Sequence, residues 1–268
     1  MARQDRGDAA KLPRLHVPGA LAAEVTVALE PGAAHHLGRV LRLGAGDVVR
    51  AFNAAGGEWL AEIVVIDRKG GVLRCLSRLR PPADPAALAA QPWLLLACLR
   101  RERFELAGEK AVALGVGRIL PVVTARTQDQ RPNPERLLRI VEEAVEQCER
   151  LDLPVVDLPR PLADLLEGWP AERLLFALDE AGAGDPVGNA LAAARPASWA
   201  LLVGPEGGFA SGELDAIAHL PFLRRTSLGP RILRAETAAI AALAIGQSVG
   251  GDLATLRPRS DLAVPEPK

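Results

Sequence analysis

Two segments have the composition to hold a ligand. The first, Val203-Gly204-Pro205-Glu206-Gly207-Gly208-Phe209, follows an apolar run and precedes Ser211, a residue type that caps helices. Three glycines in five residues permit positive φ and let backbone approach a bound molecule closely. The second is Ser227-Leu228-Gly229-Pro230-Arg231-Ile232-Leu233-Arg234-Ala235-Glu236-Thr237, which bends at Gly-Pro and enters a helical pattern. Its Ile232-Leu233 pair between Arg231 and Arg234 offers an apolar wall for a flat heterocycle beside charge. Neither segment is a Walker A loop, which ends in GK[ST], nor a GxGxxG fingerprint, which follows the first strand of its domain. The plain alternative for both is a pair of tight strand-to-helix turns.

Ligands of open α/β sheets sit beyond the carboxyl ends of the strands, so these loops need strands before them and helices after. Apolar runs at 93–99, 119–123, 174–178 and 200–203, with a further strand at 225–228, supply the first requirement. Residues 104–114 read as a helix closed by Gly115, and Asn133-Pro134 starts another along Leu137, Leu138, Val141, Ala144, Val145 and Cys148. Ser211 opens a later helix, and 235–249 form a last, mostly apolar one. This alternation predicts an α/β fold with a parallel sheet covered on both faces. The preceding residues differ: Val25, Val27 and Leu29 alternate, and short runs at 48–52, 59–66 and 72–76 are separated by Gly-rich turns. They predict a small β-barrel, with 33–42 as a short helix. Arg80-Pro81-Pro82-Ala83-Asp84-Pro85 marks the boundary. The expected organisation is a loose tail over 1–11, a barrel domain over 12–80, an α/β domain over 86–252 and a second tail over 253–268.

Composition narrows the class. The chain has 268 residues, 49% of them hydrophobic and 24% charged, as in a globular protein with a sizeable core. No apolar stretch approaches membrane-spanning length, and the charged start lacks a signal-peptide core, so a cytoplasmic protein is expected. Cys75, Cys98 and Cys148 lie far apart without a CxxC, which points to neither disulfides nor a metal. The net charge of −1 hides an asymmetry. Residues 1–80 hold ten Arg and two Lys against eight acids, while the remainder is acidic. A basic first module on an acidic body fits phosphate contact by the former.

Taken in order, His36-Leu37-Gly38-Arg39-Val40-Leu41-Arg42, Gly204-Pro205-Glu206-Gly207-Gly208-Phe209 and Leu228-Gly229-Pro230-Arg231-Ile232-Leu233-Arg234-Ala235-Glu236-Thr237-Ala238 resemble the RsmE family. Its members are 16S ribosomal RNA uridine-N3 methyltransferases of the SPOUT superfamily. The resemblance covers about 15–250. It implies a PUA-like N-terminal barrel, a C-terminal parallel-sheet domain with a deep trefoil knot, S-adenosylmethionine as donor, and a homodimer acting on the small ribosomal subunit. Carried onto this chain, Gly204, Gly207 and Gly208 would form one donor loop, and Leu228, Gly229, Ile232 and Leu233 the other, with Leu178 nearby. Three positions depart from the family pattern. Glu149 stands where a small residue, often Gly, is usual; Ala113 stands at a common Glu; Asn53-Ala54 replaces Asp-Gly.

Uridine N3 carries a proton and is a weak nucleophile until that proton leaves, so the resemblance demands a base or a cation over the uracil oxygens. Arg234 and Glu236 flank the donor loop and are the candidates: Arg234 to stabilise the developing anion, Glu236 to orient it or accept the proton through water. The alternative for Glu236 is a helix-end carboxylate at the positive pole. His36, Arg39 and Arg42, spaced along the expected short helix, are the RNA-contact candidates, with Arg14 and Arg126 behind them. Two other classes compete. An RNA-binding assembly factor would have no use for both loops. A dinucleotide dehydrogenase would need glycines where Leu99-Arg100-Arg101-Glu102-Arg103 stands.

Overall fold

The alternating runs of the first eighty residues pair into one sheet, held by turns that side chains organise. The structure, a computed structural model, describes residues 9–127, 131–181, 184–210 and 212–254. Ser211, the rest of the first expected tail and residues 255–268 of the second lie outside that set. Strands β1 (Arg14–His16), β2 (Thr26–Leu29), β3 (Val48–Asn53), β4 (Gly57–Asp67) and β5 (Gly70–Arg80) lie in the order β1-β3-β4-β5-β2. All pairs are antiparallel except β1 with β3. At the β3–β4 turn, Asn53 donates from Nδ2 to the carbonyls of Val17 and Gly19, both at 2.8 Å, and accepts from Gly56 N at 2.7 Å. The amide suits this turn, because the two carbonyls need a donor that a carboxylate would not supply.

The main core of this unit gathers Leu15, Val27, Leu37, Val49, Trp59, Ile63 and Leu73. A smaller cluster of Ala9, Leu12, Val48, Leu60 and Leu79 forms separately. Ala9–Lys11 are a 3-10 turn with Ala9 buried, so the expected loose tail does not extend to residue 11. The expected helix over 33–42 is shorter too. Helix α1 (Pro31–His35) gives way to a π-type turn over His36–Val40, closed by Leu41 N donating to His36 O at 3.0 Å. Arg42 lies beyond it with φ +59°. His36, Arg39 and Arg42 are all exposed.

Residues 145–153 belong to this first unit, although they fall within the segment expected as one α/β domain. They explain Arg14, which is buried and unavailable to RNA. Its Nε donates to Glu58 at 2.7 Å, and its Nη atoms donate to the carbonyls of Val145, Glu146 and Arg150, each at 3.0 Å. Its guanidinium also lies 3.9 Å from the Phe52 ring centroid. A cation on the last carbonyls of a helix is favourably placed against the helix dipole. Glu149 follows that helix with φ +63°. This is the left-handed backbone that favours Gly after a helix, the residue the family resemblance leads one to expect here.

The second unit contains α2 (Pro85–Ala90), β6 (Trp93–Ala97), α3 (Arg101–Ala113), β7 (Arg118–Val123), most of α4 (Pro134–Cys148), β8 (Val155–Val156), β9 (Arg160–Pro161) and α5 (Leu162–Leu166). It continues through β10 (Arg173–Leu178), β11 (Asp185–Pro186), α6 (Val187–Ala194), β12 (Ser198–Val203), α7 (Glu213–Ile217), β13 (Leu223–Ser227) and α8 (Ala235–Gly250). The expected parallel sheet is present, with order β11-β13-β10-β12-β6-β7-β8 and β9 also on β7. Gly115, at φ +78°, and Asn133, accepting from Arg136 N at 3.1 Å, end and start their helices as their types predict. Leu95, Leu175, Ala177, Ala200 and Leu202 pack with Leu162, Leu165, Leu166 and Trp169. Helix α8 packs on α3, α6 and β12. Strands filled on both sides read as continuous apolar runs, which is why β6, β10 and β12 were legible. Strand β13 starts two residues and ends one residue earlier than expected, its apolar pattern being broken by Arg224 and Arg225.

Candidate functional site

Strands β13, β10, β12 and β6 are neighbours, so their carboxyl ends open onto one place. Strand β12 enters between β6 and β10 and β13 outside β10, while β7 and β8 extend the opposite way. Such a change of direction leaves a crevice at the strand ends. A cleft of about 240 Å³ occupies it, lined by Leu178 from β10, by Gly204, Pro205, Glu206, Gly208 and Phe209 after β12, and by residues 228–229 and 231–235 after β13. Arg103 of α3 completes the wall. The two loops and Leu178 thus converge.

Backbone demands explain the glycines. Gly208 has φ +64° and donates from N to Pro205 O at 2.8 Å, and a Cβ there would overlap the Glu180 carboxylate. Gly229 has φ +88°, which turns the chain out of β13. Gly204 lies under Phe209, whose ring a Cβ would approach to 2.8 Å. Gly207 differs from the expectation: it is absent from the cleft lining and borders a separate recess with Cys98, Leu99, Arg100 and Arg126. Its carbonyl accepts from Arg126 Nη1 at 2.7 Å. Arg126 is therefore a clamp on this loop. Glu213 clamps it again, accepting from Ala210 N at 2.9 Å and Ala125 N at 3.0 Å.

Charge lines the cleft unevenly. Asp179 is buried, accepting from Ala181 N at 2.9 Å and from Arg225 Nη2 at 2.5 Å, and this pair raises the Arg225 pKa. Arg231 and Arg234 are exposed on the second loop. Ile232 is 83% exposed, an extreme value for an isoleucine in a cleft wall. Glu236 does not line the cleft. It is buried in the first turn of α8, and its Oε2 has no hydrogen-bond partner. Its nearest cation is Arg103, with Nε 4.0 Å from Oε1. The same guanidinium donates from Nη1 to Glu206.

Arg103 and Glu206 escaped the sequence reading as a pair because 102 residues separate them. One signal was available. Arg100, Arg101 and Arg103 stand at a helix N-terminus, where cations are disfavoured unless something compensates them.

Burial holds the Cys98 thiol at about 11, which makes it inert as a nucleophile at neutral pH. Among the described residues, no group of three His, Cys, Asp or Glu is arranged to hold a metal ion. No described helix is long and apolar enough to cross a membrane.

Residues 88–247 match the family model for an RNA methyltransferase domain, and residues 29–74 match the RNA methyltransferase PUA domain. The ribosomal RNA small subunit methyltransferase E of Rickettsia conorii is 34% identical over 210 residues, 78% of this chain and 84% of that protein. A methyltransferase of Legionella pneumophila, solved with bound SAM, superposes with a TM-score of 0.77 at 32% identity, over 90% of this chain and 99% of that one. The ribosomal RNA small subunit methyltransferase E of Neisseria gonorrhoeae, solved with S-adenosyl methionine, gives 0.75 at 25% identity over the same shares.

Proposed function

The chain belongs to the family of ribosomal RNA small subunit methyltransferase E, and from that premise we propose that it methylates N3 of a uridine in 16S ribosomal RNA of the small subunit. The observation that carries the reading is the convergence of both Gly-rich loops and Leu178 on one cleft at the strand ends. S-adenosylmethionine, when bound, supplies a methyl group already activated on a sulfonium. The residues present suit that donor. Leu178, Leu228 and Leu233 offer an apolar face for adenine, Gly204 and Gly208 offer bare backbone, and a Cβ at Gly208 would collide with the Glu180 carboxylate of the cleft wall.

The chain's own task is then to bind, align and handle one proton. Arg234, exposed at the N-cap of α8, has its guanidinium free to face the oxygens of an incoming uracil. A cation there favours the deprotonated ring, whose N3 is the nucleophile. Glu236 lies two residues on and outside the cleft lining, so proton acceptance would have to pass through water. The target base must lie in unpaired RNA or leave its stack to present N3.

Five finer statements go with the proposal. The five strands of the first unit close as a PUA-like barrel, and the second unit carries a deep trefoil knot. The protein works in the cytoplasm, beside its substrate. It acts as a homodimer, an arrangement supported by Ile232, whose exposure on a donor loop invites cover from a second copy. RNA contact falls to His36, Arg39 and Arg42, exposed on the basic unit beside Val40 and Leu41, themselves 60% and 38% exposed.

Calorimetric titration of the full chain with S-adenosylmethionine, followed by single-turnover methylation of small subunits from a methylation-deficient strain, tests the proposal. Arg234→Ala is expected to keep donor binding and to lose about 100-fold in rate, the usual scale for removing one oxyanion-stabilising group. Arg39→Ala should reduce the slope of log K against log salt by about one. Absence of binding heat in the folded wild-type protein would end the reading.

A further inference from the structure

We propose that Arg103 is a positioning residue, a single guanidinium that ties the first donor loop to the start of helix α8. The inference rests on the donor reading above. Its basis is geometric: Arg103 lines the cleft, donates from Nη1 to Glu206 Oε1 on the loop after β12, and holds Nε 4.0 Å from Glu236 Oε1 in the first turn of α8. Its backbone is anchored, since the next residue, Phe104, is fully buried.

Two features make this bridge more than a surface pair. The Glu236 side chain is 10% exposed and its Oε2 has no hydrogen-bond partner, so Arg103 is the cation that faces a poorly solvated carboxylate. Arg103 itself occupies the third position of α3, where the helix dipole opposes a cation. Arg103 is badly placed alone and is compensated by the two carboxylates it reaches. A local rule broken in this way, at a cleft, marks function more often than stability. Arg100, at 4.0 Å from Glu206 Oε2 and far more exposed, adds charge and no bridge.

The consequence lies two residues upstream of Glu236. Fixing the first turn of α8 also fixes Arg234, its N-cap, and fixing Glu206 holds the loop that contains Gly204 and Gly208. Arg103 therefore sets both halves of the cleft at once. Arginine suits this role because its planar fork presents separate nitrogens to separate partners, whereas a lysine ammonium is a point charge.

The test compares wild type, Arg103→Lys, Arg103→Gln, Glu206→Gln and the Arg103→Gln/Glu206→Gln double variant by S-adenosylmethionine calorimetry and single-turnover rate, with thermal unfolding as the check on folding. Arg103→Lys and Arg103→Gln are both expected to bind donor about tenfold more weakly, and the double variant no more weakly than Arg103→Gln, as shared partners require. If Arg103→Gln does not fold, Arg103→Lys and Glu206→Gln decide. Arg103→Lys with wild-type affinity and rate would overturn the bridge, since charge alone would suffice. Fully additive Arg103 and Glu206 effects would overturn it as well. Either result with a wild type that binds donor leaves the proposed function standing, whereas a wild type without binding removes that reading first.

Discussion

Glu58 and Glu206 each accept from arginine, in settings that differ in every other respect. The Glu58 side chain is wholly buried among three guanidinium groups: Arg14 at 2.7 Å, Arg80 at 3.3 Å and Arg50 at 3.6 Å. Arg50 reaches on to Glu149 at 3.1 Å, and Arg80 to the Glu149 carbonyl at 2.7 Å. Around Glu206, the cations are part-exposed, a neighbouring buried carboxylate keeps an unpartnered oxygen, and a cleft adjoins. Each cluster leaves one buried atom without a hydrogen bond, Arg50 Nη1 in the first and Glu236 Oε2 in the second. In the first, the opposite charge lies 3.6 Å away; in the second, 4.0 Å. Arginine abundance therefore has two meanings here. The closed cluster ties strands of the first unit together, and the open one borders the cleft.

The largest effect expected from this contrast is on folding. Glu58→Ala leaves Arg14 and Arg50 buried without their carboxylate, and breaking one side of a buried pair costs about 3–5 kcal/mol. Denaturant unfolding should show a loss of that size, while the molecules that remain folded bind S-adenosylmethionine as before. A donor affinity that fell in step with stability would break the separation between the two clusters.

In the cleft the outcome should invert. Gly208→Val forces a β-branched residue to φ +64° against the Glu180 carboxylate. A strained backbone position of this kind costs about 1–3 kcal/mol. Because the loop can relax by abandoning its bound-like shape, the loss is expected mainly in donor affinity, at least about tenfold by calorimetry. Unchanged affinity would mean that this loop does not form the donor cradle.

The same contrast separates what the sequence disclosed from what it withheld. Gly204, Gly208, Gly229 and the strands before them were legible because backbone punctuation and doubly buried strands leave local marks. The helices starting at Asn133-Pro134 and ending at Gly115 were legible for the same reason. Short elements such as α5 and β8 left no periodic signal. Charge was the harder matter. Arg14 and Arg39 look alike in sequence, yet one is buried on helix carbonyls and the other exposed, and only the partners brought by tertiary structure distinguish them. Arg126 and Glu236 have partners that the sequence did not disclose, the Gly207 carbonyl for the first and Arg103 for the second. Leu178 was reached through family resemblance and through no local feature of its own.

Glu149 lies where the two lessons meet, and it carries the smallest expected effect. Its φ of +63° costs an L-residue about 1–2 kcal/mol, which Gly would relieve. Gly in turn adds about 0.5–1 kcal/mol of unfolded-state entropy to be lost on folding. It also removes the ion pair with Arg50, whose partner side chain is 34% exposed on the Glu149 side, a setting nearer the surface limit of about 1 kcal/mol than the buried one. The contributions nearly cancel, so Glu149→Gly should change unfolding free energy by less than about 1 kcal/mol. Glu149→Gln, which keeps the strained backbone and removes the charge, should be the less stable of the two variants. If Glu149→Gly instead cost as much as Glu58→Ala, the pair with Arg50 would belong to the closed cluster as a full member, and the unusual residue would be explained by charge rather than tolerated despite its backbone.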